Sequence, residues 1–553
     1  MRQPGRGRAR DARPPEPGDQ RRTVPIGGGH VPRTRSHAVG LALTLAAVVA
    51  ATSCSAGAST PPPVAVAADP DRSVTVEPGT DPVPLPPLEE PGAHTIHWAD
   101  CTQHTRQRLG LPQEAETRSY ECGSVTGPLD SPEQPNFGTA TTHVLRVGTG
   151  AVPLVVLNDV GGAPGSLYAA RLAEALPAEL LETFSLIGVD RRGTGMSDPI
   201  SCVRGDDREN MVGFDPAVTD VAGQDSLHSS SSSAAKECTW LLEYRARAFD
   251  PARTAGDLEV LRLELGMSRI NAIARGDGSE VLVSYAQRFP DHVGRVVLDG
   301  VPDLSSDALA RAEERAATAE RAFEAFTSSC AARADCPLGP DPGGAVAELA
   351  EVLRREPLLT SDAMITPGTL TRVLLDGLAV PEEWPEVAEA VAAARDGDGV
   401  PLGTRLRDTL WEGPLDPPRF DASLVTRCNA SALRLPPNQV AELSEEWHAD
   451  YPTFGGLFAQ ELLHCTAWPV PYQGTEGDTV RGAPPVMVVS TATDPVTPGP
   501  ATRRMAGRFD SAVLVDWQGT GHGGLARSSC VTDAAVSFLV DGEAPENDVV
   551  CPP

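Results

Sequence analysis

Asp494 and His522 are of the types, and at the spacing, that acid–base chemistry uses. Asp494 follows a short β-type run, 486–490, in STATDPVTPGPATRRMA, and His522 follows another, 512–517, in DWQGTGHGGLARSSC. Each therefore falls on a loop just past the C-terminal end of a strand, the edge at which parallel sheets bind ligands. There a carboxylate holds an imidazole in one tautomer while the imidazole moves a proton. A lone Asp or His on a loop is ordinarily just solvated, but two of them in this frame point to an acid–base pair. No C-x-x-C pair occurs and no cysteine has histidines at ligand spacing, so no metal is expected. Lys236 is the only lysine, which argues against Schiff-base and pyridoxal chemistry, and no cofactor is expected.

The elements that must position this pair read as an α/β fold. Runs at 142–147, 154–158, 185–190, 270–274, 295–298, 486–490 and 512–517 have strand character, and several are continuously apolar, as strands buried on both faces should be. Helical stretches at 257–265, with leucines at 258, 261 and 265, and at 280–288 alternate with them. That alternation predicts a mostly parallel sheet wrapped by helices. Between 303 and 480 the strand signal disappears and helices such as 308–326 and 385–394 dominate, which predicts an inserted helical cap. The core is then split into 93–302 and 481–553, and the serine run 229–233 reads as a flexible loop.

The formal net charge is −29. The first 54 residues carry nine Arg against Asp11, Glu16 and Asp19, which leaves −35 on the rest. A body this acidic repels nucleic acid and anionic headgroups, so neither is an expected partner. Residues 38–51 form an apolar run of signal-peptide length behind an Arg-rich stretch, too short to span a membrane. The small residues before Cys54 resemble a bacterial lipoprotein processing site. The expected product is an exported, cell-envelope protein lipidated at Cys54 and touching the membrane through that anchor alone, or a secreted one if Cys54 is unmodified. Residues 1–54 are then the leader and 55–92, rich in Pro, Ala and Asp, an extended tether. The other ten cysteines are even in number, and export favours disulfides, whose connectivity order alone leaves open.

Several segments together make a family resemblance. DRRGTGMSDP at 190–199, DLEVLRLELG at 257–266, SYAQRFPDHVGRVVLDG at 284–300, CPLG at 336–339, TDPVTP at 493–498 and GHG with SSC at 521–530 are similar to actinobacterial tripeptidyl aminopeptidase-like α/β-hydrolases. The resemblance runs from about 96 to 551 and is weakest in the cap. It implies an α/β-hydrolase fold with Asp494 and His522 as retained acid and base, and a G-x-S-x-G elbow between Leu265-Gly266 and Phe289-Pro290. Counted from either landmark, the serine position is Gly276, in Ala274-Arg275-Gly276-Asp277-Gly278. Glycine accepts the turn's positive φ while removing the hydroxyl. Asp277 as a carboxylate nucleophile would need a one-residue slip, and Ser279 reads as a helix-start residue.

The resemblance also implies an oxyanion hole from the Asp277 amide and the loop 158–165, with Gly161 and Gly162 as candidates and Asp159 as an acid out of place beside them. It favours the sequential disulfides Cys101–Cys122, Cys202–Cys238, Cys330–Cys336, Cys428–Cys465 and Cys530–Cys551. Three functions follow: a degenerate hydrolase binding a peptide or small ligand between core and cap, an active serine exopeptidase, or a non-catalytic envelope interaction protein. A monomer is expected. Recognition of a free amine would need cap carboxylates, for which Glu382, Glu383, Glu445 and Glu446 are available.

Overall fold

A computed structural model describes residues 84–112, 118–131, 134, 136–411, 413, 416–472 and 479–553. The leader, Cys54 and most of the tether lie outside the described residues. Ten strands form one sheet: β1 Ala99–Asp100, β2 Tyr120–Pro128, β3 Thr139–Val147, β4 Val152–Leu157, β5 Phe184–Val189, β6 Ile270–Arg275, β7 Val293–Asp299, β10 Val486–Thr493, β11 Ala512–Thr520 and β12 Val549–Cys551. A small hairpin, β8 Leu358–Leu359 with β9 Met364–Ile365, stands apart from it. The sheet order is β1-β2-β3-β5-β4-β6-β7-β10-β11-β12, antiparallel up to the β3–β5 pair and parallel from β5 onward. This is an α/β-hydrolase fold.

The central strands form where apolar runs are continuous, because both their faces are covered. All six residues of β4, all six of β5 and all seven of β7 are buried. One face packs on Leu258, Leu261, Val281 and Leu282, from the helices Pro251–Glu264 and Gly278–Arg288. The other packs on the helices Gly165–Ala175 and Ser529–Val536, through Leu172, Val531 and Ala535.

Order reversal between β5 and β6 places the loop after β4 beside the loop after β6. Leu157 is paired with Ala274 in that register, so two residues further on Asp159 arrives at Gly276. This is the switch point at which such sheets hold ligands.

The structure corrects three of the sequence expectations. The cap is built from two insertions, since residues 200–249 pack in the same apolar cluster as the helices after 303, through Met211, Phe214, Leu227 and Phe249. Buried Arg208 locks them together: its Nε donates to Asp421 Oδ1 at 2.7 Å, while Asp421 Oδ2 accepts from Cys202 N and Val203 N. The serine run is no loop but part of the helix Asp225–Leu242, in which Ser230 and Ser231 are buried. Small side chains fit that interface, and Ser231 Oγ donates to Leu227 O at 2.8 Å, four residues back. Finally, the folded domain begins before 93, because Leu85 and Leu88 pack on the core and Pro86 O accepts from Arg295 Nε at 3.0 Å.

All five disulfides pair neighbouring cysteines in sequence order, with Cα separations from 4.8 to 5.7 Å. Each closes a short loop and contributes about 2–4 kcal/mol by constraining the unfolded chain. Among the described residues no helix is long and apolar enough to cross a membrane.

Candidate active site

The turn from β6 into the helix Gly278–Arg288 is a strained elbow. Gly276 has φ +56°, in the left-handed region, its N–H donates to Asp299 O at 3.2 Å, and Ser279 N closes the turn onto Gly276 O at 3.0 Å. At Gly278 a Cβ would meet Asn158 O at 2.9 Å, so glycine lets the loop after β4 press against the elbow.

Asp494 and His522 come together above this turn. Asp494 Oδ1 accepts from Val496 N at 2.8 Å and Thr497 N at 2.9 Å, a local turn that aims its other oxygen. Asp494 Oδ2 lies 2.9 Å from His522 Nδ1 and accepts from Thr497 Oγ1 at 3.0 Å. Thr497, which sequence reasoning passed over, also stands 3.2 Å from His522 Nδ1.

Asp159 occupies the space that a serine at Gly276 would need. Its Oδ2 lies 2.8 Å from His522 Nε2, and its Oδ1 accepts from Asp277 N at 2.9 Å. A Cβ built on Gly276 would fall 1.9 Å from Asp159 Oδ1 and 2.6 Å from Cγ. One carboxylate thus takes the base's free nitrogen and the oxyanion N–H together. Arg275 steadies it, with Nε 3.8 Å from Asp159 Oδ2 and 3.0 Å from Asn158 Oδ1, and its guanidinium stacked on Tyr168.

The electrostatics follow from this clamp. Burial alone would lower the His522 pKa, but Asp494 on one side and Asp159 on the other outweigh it and raise it to about 9. Burial would raise Asp159, yet the charge and hydrogen bond of His522, with help from Arg275 and the Asp277 N–H, hold it well below the usual carboxylate range. At neutral pH the site is an imidazolium between two carboxylates. A general base needs a neutral imidazole with a free nitrogen, and this one has neither.

The remaining sequence candidates are placed as follows. The Asp277 carboxylate faces away from His522, accepting from Val160 N at 2.9 Å and pairing with Arg191. Ser279 is fully buried and donates to Ala274 O and Gly300 O, so it braces the elbow rather than facing the imidazole. Gly162 N closes a turn onto Asp159 O at 3.1 Å and is spent there, against the expectation that it would serve an oxyanion hole. Gly161 faces the cap, where a Cβ would come 3.3 Å from Ser423 Oγ. Glu445 and Glu446 are exposed and away from the cleft, and Glu382 and Glu383 pair with Arg527 and Arg405.

Residues 451–551, which carry Asp494 and His522, match the family described as TAP-like protein. Carboxylesterase B of Mycobacterium tuberculosis is 28% identical over 518 residues, covering 88% of this chain and 95% of its own length. Serine protease Hip1 of the same species is 25% identical, with 82% of this chain and 91% of that protein covered. Tripeptidyl aminopeptidase of Streptomyces lividans is 25% identical, with coverage of 83% and 87%. In this segment the chain is TAP-like, and its fold is that of an α/β-hydrolase.

Above the clamp, between the sheet edge and the cap, the protein encloses a cavity of about 870 Å³. That is near the upper end of the size range for small-molecule sites. Asp159, Arg275 and His522 lie on the core side, and Arg311, Arg315 and Phe458 on the cap side. His522 is tied to the cap through its backbone, its N–H donating to Ala379 O at 2.9 Å.

Proposed function

We propose that this TAP-like hydrolase does not carry out serine peptidase chemistry, and that it works by binding a peptide or small ligand in the cavity between core and cap. One observation carries the reading: Asp159 fills the place of the nucleophile's side chain, with Oδ1 on the Asp277 N–H and Oδ2 on His522 Nε2. A carbonyl substrate entering the site meets no hydroxyl at the elbow and no free base, and finds the Asp277 and Gly162 N–H groups already taken. Loss of a nucleophile leaves only weak background catalysis. The names of its relatives, carboxylesterase, serine protease and tripeptidyl aminopeptidase, describe chemistry for which the serine is missing here.

Reaction of the purified protein with a fluorophosphonate probe, beside a turnover assay on tripeptide anilides and short-chain esters, tests this. No labelling and background turnover are expected. A labelled serine near the cleft would restore the active serine exopeptidase reading. The proposal extends to the rest of the chain: export, lipidation at Cys54, action as a monomer and no contact with nucleic acid, for which the Arg-rich leader, the apolar run and the acidic body are the support. Mass spectrometry that finds an unmodified mature N-terminus downstream of Cys54 would refute the anchor.

A second reading is favoured by the hydrogen bonds of Asp159, which leave its carboxylate facing the cavity. In it, Asp159 Oδ2 attacks an alkyl carbon, the leaving group departs with the bonding electrons, and an ester forms. His522 gives up its proton with the leaving group and, no longer facing a charged Asp159, takes a proton from water as that water attacks Cγ of the ester, then passes it to the alkoxide, which departs as the alcohol while the carboxylate is regenerated. Turnover of alkyl electrophiles that disappears in Asp159→Asn would select this reading, and absence of such turnover would remove it.

A further inference from the structure

The cavity's charges do not balance, and the imbalance lies on the cap side. Most carboxylates of the wall are consumed by partners: Asp159 by His522, Asp277 by Arg191, Glu383 by Arg405 and Asp408 by Arg419. Asp303 and Glu314 both pair with Arg504, and Asp250 with Arg253. Among the described residues only Glu280 and Asp376 of the wall acids have no ion pair. Burial and the charge of Asp277 push half-buried Glu280 up to about 7, so it holds its charge loosely, while Asp376 is exposed and has Arg372 and Arg419 as counter-charges.

On the cationic side Arg171, Arg311 and Arg315 have no carboxylate partner among the described residues. Arg171 is exposed, and Arg311 has Glu280 as a nearby counter-charge. Arg315 has neither relief. Its buried Nε makes no hydrogen bond, and its guanidinium lies over the Phe458 ring at 4.7 Å. The negative charge that acts on it most is Glu461, already held by both Arg372 and Arg427. Three arginines therefore surround one carboxylate at the cavity wall of a protein whose overall charge is strongly negative.

A desolvated cation without a partner is costly unless something supplies the missing charge. The helix Ala308–Ala331 presents Arg311 and Arg315 one turn apart on the same face; of the two wall residues between them, Ala312 is apolar and Glu314 is paired with Arg504, which leaves the fork of Arg315 open. A guanidinium fork matches the two oxygens of a carboxylate or phosphate.

We propose that the cavity binds a small organic ligand by an anionic group, carboxylate or phosphate, seated on Arg315 and supported by Arg372 and Arg427. The proposal rests on the ligand-binding reading and adds the polarity of the ligand: its anionic end goes to the cap.

The test is calorimetric titration of the full mature protein with three probes: an N-acetylated tripeptide with a free C-terminal carboxylate, the same peptide as the C-terminal amide, and inorganic phosphate. The acid should bind about 10- to 100-fold more tightly than the amide, the range for a charge-assisted pair, and Arg315→Gln should abolish that difference. Phosphate that binds and competes with the acid would identify a phosphate-bearing ligand at the same arginine. Amide and acid binding equally in wild type and Arg315→Gln would overturn the anion site and leave the ligand-binding reading standing. Failure of all three probes would overturn both. Because Arg315 has no hydrogen-bond or carboxylate partner and only the Phe458 ring beneath it, the urea midpoint of Arg315→Gln should stay close to or above that of wild type; a marked fall would assign Arg315 to folding and sink the proposal.

Discussion

Restoring serine at the elbow should fail alone and succeed only when Asp159 is removed with it. In Gly276→Ser the new Cβ would lie 1.9 Å from Asp159 Oδ1 and 2.7 Å from Oδ2, so the carboxylate must leave. It then gives up two contacts, to His522 Nε2 and to Asp277 N, each worth about 1.5–3 kcal/mol for a charged hydrogen bond. A non-glycine residue at φ +56° adds about 1–3 kcal/mol of backbone strain. The single variant should therefore lose about 4–9 kcal/mol, enough to threaten a domain of ordinary stability. Asp159→Gly loses the same two contacts without the strain. The sum of the two single losses counts those contacts twice, so Asp159→Gly/Gly276→Ser should be about 3–6 kcal/mol more stable than additivity predicts. It should also be the one variant that reacts with fluorophosphonate and hydrolyses short peptide or ester substrates above wild type, because the Asp277 N–H and His522 Nε2 are free again. Urea unfolding of all four proteins, with labelling on the folded fraction, measures both quantities. Additive stabilities, or equal labelling of Gly276→Ser and the double variant, would refute the argument that Asp159 blocks the site.

The clamp should also appear in the pH dependence of stability. His522 has its pKa raised to about 9, so its contribution is full below the unfolded value near 6.5 and is lost as pH rises through 9. Asp159 is depressed, so its contribution is present above about 4 and fades on acidification. The urea midpoint of wild type should decline between pH 7 and 9.5, and Asp159→Asn should flatten that decline; a flat wild-type profile would refute the clamped imidazolium. Arg208→Ala should cost about 3–5 kcal/mol, because Asp421 is left charged in the buried joint between the two cap insertions. A loss under 1 kcal/mol by denaturant titration would show that the insertions do not depend on that pair.

Much of the scaffold was legible because it obeys local rules. The runs that became β4 to β7, β10 and β11 are apolar over three or more residues and stand between helical periods, so a strand buried on both faces is the economical reading. β2 was missed because Tyr120–Pro128 alternates, contains two glycines and ends in proline, as suits a strand near the sheet edge. The serine run deceived for a related reason: serine is a poor helix former, and tertiary packing of its small side chains overrode that preference. Residues 200–249 were read as core because an amphipathic helix shows that it has a buried face without showing which partner covers it.

The sequence by itself determined the α/β architecture, the position of Asp494 and His522 at strand ends and the cysteine inventory, since each follows from spacing, periodicity or residue type along the chain, while the family resemblance put Gly276 at the elbow. Only the tertiary structure decided what fills the vacancy at Gly276. Asp159 lies 117 residues before it, and the two meet because β4 and β6 are neighbours at the switch point, with Leu157 in register with Ala274. The same holds for the three arginines around Glu461, drawn from the separate cap helices Ala308–Ala331, Pro367–Leu378 and Arg419–Asn429. Charge balance in a cavity depends on which side chains converge there, and sequence separation carries no record of that.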